Sequence, residues 1–129
     1  MAEPFDGKTI LIVDDDRDIL TALELAFKDT GATVSVASDG NTAVTMALEN
    51  NPDLLILDAM LPQRSGFLVL EKLEPKKPRG SKPYIIMITG NTGKRHQVWA
   101  ESLGADGYIN KPFRMDRLFE SAQALLAKC

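Results

Sequence analysis

A chain whose apolar residues fall into short unbroken runs, with helical spacing between the runs, has few folds open to it. Here Ile10-Leu11-Ile12-Val13 runs into Asp14-Asp15-Asp16, and Leu54-Leu55-Ile56-Leu57 stops at Asp58. Ile85-Ile86-Met87-Ile88 stops at Thr89, and Tyr108-Ile109-Asn110 leads into Lys111-Pro112. Runs this short and this continuous, bounded by turn signals, read as strands buried on both faces, as in a parallel sheet. Ligands of open parallel sheets bind beyond the carboxyl ends of the strands. An acidic cluster, a lone carboxylate, a hydroxyl and an ammonium are therefore expected to meet in one crevice.

The intervening segments carry helical periodicity. Ile19, Leu20, Leu23 and Phe27 follow one helix face, with Gly31 placed as the C′ residue that ends it. Val34-Ser35-Val36 is a further short run, followed by the turn signal Asp39-Gly40. Ala43, Val44, Ala47 and Leu48 mark a second helix that stops at Asn50-Asn51-Pro52. Ser65 is positioned to cap a third helix bearing Phe67, Leu70 and Leu73. A basic connection between Pro75 and Pro83, with Lys76, Lys77, Arg79 and Lys82, leads to the run at Tyr84. A fourth helix carries Val98, Trp99 and Leu103 and closes at Gly104; a fifth carries Leu118, Phe119, Ala122, Leu125 and Leu126. The pattern is β-α five times over, an α/β doubly wound parallel sheet of five strands with five helices joined by right-handed crossovers.

The 129 residues suit one domain across 1–129, with 1–7 as an N-terminal tail and no room after the fifth helix for an output domain. A net charge of −3 argues against a general nucleic-acid binder, which needs a basic surface. The single cysteine, Cys129, precludes an internal disulfide and fits a reducing cytoplasm. No basic-then-apolar leader and no apolar stretch of roughly 20 residues is present, so neither secretion nor a membrane span is expected.

The acidic cluster sets the chemistry. Two carboxylates about 5 Å apart at an effective dielectric of ~20 repel by roughly 3 kcal/mol, on the order of two pKa units. Asp14, Asp15, Asp16 and Asp58 together outnumber the one lysine, Lys111, which favours a hard divalent cation such as Mg²⁺. The competing reading makes the acids of 14–18 helix caps at a positive dipole end, which suits Asp16 and Asp18. That reading leaves Asp58 and Lys111 at their run ends unexplained. A carboxylate held against Mg²⁺ and an ammonium can attack phosphorus to give an acyl phosphate. Thr89 and Lys111 could then bind the added oxygens, although each alone could be an ordinary strand-end or surface residue.

With these residues assembled, the chain resembles the receiver domain of two-component response regulators. The resemblance lies in Ile-Val-Asp14-Asp15-Asp16, Leu-Asp58-Ala-Met60-Leu-Pro62, Ile88-Thr89-Gly90 and Lys111-Pro112-Phe113, which occur in order across nearly the whole chain. It implies a flavodoxin-like sheet in strand order 2-1-3-4-5. It implies Asp58 as the phosphorylation site, and Asp14, Asp15, Asp58 and the Met60 carbonyl around Mg²⁺, with Asp14 acting largely through water. Thr89 would be the switch hydroxyl, Tyr108 the aromatic that turns inward, and Lys111 the phosphate-binding lysine followed by a cis bond to Pro112. Met60 and Asn91 would flank the attack path. Asp16, where a glutamate is common, and Ser65, where an aspartate often stands, depart from the family pattern without removing a site residue. The implied partners are a histidine kinase or histidine phosphotransfer protein and a downstream protein, reached through the fourth helix, last strand and fifth helix. The implied role is a switch rather than an enzyme with a released product.

Two other classes compete. Asp14-x-Asp16 after a strand resembles the nucleophile pair of haloacid-dehalogenase-like phosphatases, but Asp18 stands where Thr or Val is usual there and no substrate cap is encoded. A pseudo-receiver that binds a partner without phosphorylation is disfavoured by the intact residue set. His96, beside Lys94 and Arg95, reads as a solvated surface residue. Trp99 reads as core packing, or alternatively as a partner anchor.

Overall fold

The chain alternates strand and helix throughout: β1 (Thr9–Val13), α1 (Arg17–Lys28), β2 (Thr33–Ala37), α2 (Gly40–Asn50), β3 (Leu54–Asp58), α3 (Gly66–Leu73), β4 (Tyr84–Thr89), α4 (Lys94–Ser102), β5 (Gly107–Asn110) and α5 (Met115–Leu126). The structure is a computed structural model that describes residues 5–61, 65–73, 83–90, 94–111 and 113–127, with backbone alone for 94–96. All strand pairs are parallel, and the sheet order is β2-β1-β3-β4-β5. The expected doubly wound architecture and strand order are both present.

Successive strand residues point to opposite faces, so each unbroken apolar run feeds two cores at once. Leu11, Val13, Leu55, Leu57, Ile85 and Met87 join Ala43, Val44, Phe67, Leu70 and Leu73 on the side of α2, α3 and α4. Ile10, Ile12, Leu54, Ile56, Ile86, Ile88 and Ile109 join Leu23, Phe27, Leu118, Ala122 and Leu126 on the side of α1 and α5.

Several local expectations change. Phe5 is 1% exposed, and its N–H donates to the Thr30 carbonyl at 3.2 Å. It closes an aromatic trio with Phe27 (5.5 Å) and Phe119 (5.9 Å), so Phe5, within the segment read as a tail, belongs to the core, while Asp6 and Gly7 are exposed. Residues 1–4 lie outside the described residues. The C-cap of α1 is Asp29, two residues before Gly31, and Gly31 instead supplies the left-handed φ of 88° that turns the chain into β2. Asp39-Gly40 is a helix start rather than a free turn: the Asp39 carboxylate accepts from the Thr42 N–H at 2.8 Å and caps α2. Asn51 ends that helix in the left-handed region, as its stop signal suggested. Leu48 and Val98, placed by periodicity on helix faces toward the core, lie 44% and 64% exposed, and Trp99, read as core packing or a partner anchor, is 45% exposed.

Candidate functional site

The sheet register builds the site. Val13 pairs with Leu57, which places Asp14 level with Asp58 on adjacent strands, and Thr89 pairs with Asn110 one step further on. The ladder continues past the strand ends. The Asp14 N–H donates to Ala37 O at 3.2 Å, Ala59 N–H to Ile88 O at 2.9 Å and Lys111 N–H to Thr89 O at 2.7 Å. Each of these side chains therefore leaves a backbone tied to a neighbouring strand.

Lys111 joins the two buried carboxylates. Its Nζ lies 3.1 Å from Asp14 Oδ2 and 3.3 Å from Asp58 Oδ2. The remaining oxygens are held locally: Asp14 Oδ1 accepts from the Asp16 N–H at 2.8 Å, and Asp58 Oδ1 accepts from the Met60 N–H at 3.1 Å. Asp14, Asp58 and Thr89 are buried, while Asp15 is exposed at the rim. Carboxylate oxygens of Asp14, Asp15 and Asp58 all lie within 4.8 Å of one another. Asp16 stands apart; its Oδ1 accepts from the Asp18 and Ile19 N–H groups and caps α1. The two readings of the acidic run thus divide within it, Asp14 and Asp15 joining Asp58 in the cluster and Asp16 serving as cap.

Burial pushes the Asp58 carboxyl up to about 6, helped by the Asp14 charge and opposed by the Met60 hydrogen bond and Lys111. Burial alone would lower Lys111, but the Asp14 hydrogen bond and the charges of Asp58 and Asp14 raise it overall. The lysine therefore stays protonated between two acids.

Thr89 lies two residues beyond Met87, whose strand partner is Tyr108, so both side chains share the face toward α4. The Tyr108 hydroxyl oxygen is already closed off from solvent and has no hydrogen bond of ordinary geometry among the described residues. Burial raises its phenol, and the neighbouring Thr89 side chain offsets part of that rise. Met60, two residues beyond Asp58, is 69% exposed. Pro62, the 75–82 connection, Asn91, the His96 side chain and Pro112 with its expected cis bond lie outside the described residues.

One residue was overlooked in the sequence. Gly66 opens α3, and a Cβ there would lie 2.3 Å from the Asp58 carbonyl oxygen and 2.8 Å from Ala59 Cα. Only glycine lets α3 lie this close behind the Asp58–Ala59 backbone. The available signal was a glycine directly after a capping serine, at the junction of loop and helix; Ser65 Oγ does accept from the Leu68 N–H at 3.3 Å.

The family model for the response regulator receiver domain matches residues 10–123. A CheY-like response regulator receiver domain protein from Methanospirillum hungatei shares 31% identity, with a TM-score of 0.86 over 94% of each chain. The receiver domain of Francisella response regulator 1452 has 25% identity and a TM-score of 0.86, covering 95% of this chain and 98% of that one. NtrX from Brucella abortus has 30% identity and a TM-score of 0.82 over 93% of this chain but 27% of its own length. The chain belongs to the response regulator receiver domain family. Such domains are signalling switches of two-component systems, working with histidine kinases and downstream effectors rather than as conventional enzymes. Among the described residues no helix is long and apolar enough to cross a membrane.

Proposed function

We propose that Asp58 accepts a phosphoryl group from a phosphohistidine on a histidine kinase or histidine phosphotransfer protein, and that the acyl phosphate reshapes the α4-β5-α5 surface for a downstream protein. The observation that carries this reading is the Lys111 ammonium set between two buried carboxylates at the end of a parallel sheet. In the transfer, one Asp58 oxygen forms the new O–P bond as the P–N bond breaks, and the electron pair stays on the donor imidazole. Phosphoryl transfer of this kind depends on positioning and charge neutralisation. Lys111 would hold the incoming oxygens, and the Thr89 hydroxyl would donate to them.

Mg²⁺ fits the residues present. Three carboxylate groups within 4.8 Å of one another face a single ammonium, and hard oxygen donors with an exposed rim for water suit this ion. Asp14, Asp15, Asp58 and the Met60 carbonyl would hold it. Once bound, the ion would supply neutralisation of charge on the transferred group. Thr89 and Tyr108, on one sheet face, are the pair through which the phosphate would be sensed.

Treatment with acetyl phosphate and Mg²⁺ tests the proposal. Mass spectrometry is expected to show a labile adduct of about 80 Da, one phosphoryl group, that is absent in Asp58→Ala. An unmodified wild-type protein, or an adduct that survives in Asp58→Ala, overturns it.

A further inference from the structure

The helix behind the acceptor leads to the one tryptophan of the chain. Gly66 N–H donates to Ala59 O at 2.9 Å, and with no room for even a Cβ between them, the first turn of α3 rests on the Asp58–Ala59 backbone. Phe67, the next residue, is buried and stacks on Trp99 of α4, with ring centroids 4.4 Å apart and planes 9° from parallel. Among the described side chains of α4, Ala100 is the one fully buried, while Val98 and Trp99 are exposed. The stack is therefore the aromatic contact that ties α4 to α3 among the described residues, beside the buried Ala100.

We propose that the Phe67–Trp99 stack is a latch that holds α4 in its unphosphorylated position and is released through Gly66 when Asp58 carries a phosphoryl group. This rests on Asp58 being the acceptor, and it describes a route separate from the Thr89–Tyr108 pair on β4 and β5. The physical cause lies in the acceptor's hydrogen bonds. Both Asp58 oxygens are engaged, Oδ1 by the Met60 N–H and Oδ2 by Lys111. Phosphorylating either oxygen disturbs one of these partners, and the Ala59–Met60 backbone carries the movement into Gly66. A parallel stack tolerates little displacement: a gap of about 0.5–1 Å forfeits a quarter to a half of its dispersion attraction. Since the stack stabilises the unphosphorylated arrangement, removing it favours the other state, and coupling between two sites is reciprocal.

The test uses the full chain with Mg²⁺ and beryllofluoride, an acyl-phosphate mimic. Binding is followed by fluorine NMR, and Trp99 by its emission. Saturation is expected to shift wild-type emission to the red as the indole loses its stacking partner. Phe67→Leu and Trp99→Leu are each expected to bind beryllofluoride about two- to tenfold more tightly, the range set by the worth of one aromatic pair. Trp99→Leu alters a half-exposed position and keeps the test valid should the Phe67 variant not fold. Bound fluoride with unchanged Trp99 emission overturns the latch, as does unchanged or weaker affinity in the variants. Absence of bound fluoride in the wild type, or binding that persists in Asp58→Asn, overturns the acceptor assignment instead, and the latch with it.

Discussion

The two faces of the sheet are built to different standards. On the α1 and α5 side, Phe5, Phe27 and Phe119 interlock at centroid distances of 4.9–5.9 Å, with Leu23, Leu118 and Ala122 buried beside them. On the other side α2 and α3 are well anchored, but α4 shows one buried alanine and an outward Val98 and Trp99 among its described side chains. The clustered carboxylates of Asp14 and Asp58 stand at the carboxyl ends of the inner strands β1 and β3, between these faces. A switch needs this asymmetry: one side fixes the site residues to a fraction of an ångström, and the other can move at small cost. Elements that move in signalling come from the least stable part of a fold.

The largest expected effect breaks the comparison most cleanly. Phe27→Ala should destabilise the protein by about 3–5 kcal/mol in urea unfolding, as for other fully buried aromatics. Trp99→Ala should cost about 0.5–1.5 kcal/mol, the worth of one aromatic pair with an exposed member. Equal costs would mean that α4 is as firmly seated as α1. Gly66→Ala comes next, because its Cβ would meet backbone rather than a yielding side chain. Overpacking of about 1–3 kcal/mol is expected, together with slower acetyl phosphate labelling of Asp58 as the acceptor backbone is pushed aside.

A smaller effect probes the site itself. The folded Asp58 carboxyl is raised from 3.8 to about 6, so the folded metal-free protein holds this proton more tightly than the unfolded chain. The stability this contributes is fully present below pH 3.8 and is lost as pH rises through about 6. Chemical denaturation without metal should show that slope in the wild type and not in Asp58→Asn. Mg²⁺ affinity should move the opposite way, falling by up to about tenfold for each pH unit below 6 as a proton competes for the ligand oxygen. Titration calorimetry at pH 5 and pH 7.5 checks it; equal affinities would argue that Asp58 is not a ligand.

What was legible in the sequence follows from the same asymmetry. Strands buried on both faces write unbroken apolar runs, so β1, β3 and β4 could be read directly, and their ends identified Asp14, Asp58 and Thr89 as neighbours. Helix α1 was legible because large residues, Leu23 and Phe27, mark its inner face. Helix α4 was harder to read for the reverse reason: its fully buried residue is Ala100, too small to signal burial, while Val98 faces outward and Trp99 is half exposed on its stack with Phe67. Phe5 carried no periodicity, since its burial depends on Thr30 and two helices distant in sequence. The division of labour between Asp15 and Asp16 was also hidden, because loop backbone after β1 decides which carboxylate turns to the cluster and which to the helix N-terminus.

Hydrogen exchange on the Mg²⁺ protein with and without beryllofluoride tests the asymmetry most directly. The account predicts a change in amide protection concentrated in α4 and the first turn of α3, with Leu23 and Phe27 of α1 unchanged. An α4 as protected as α1 in both states, or a change spread evenly over the two faces, would contradict it.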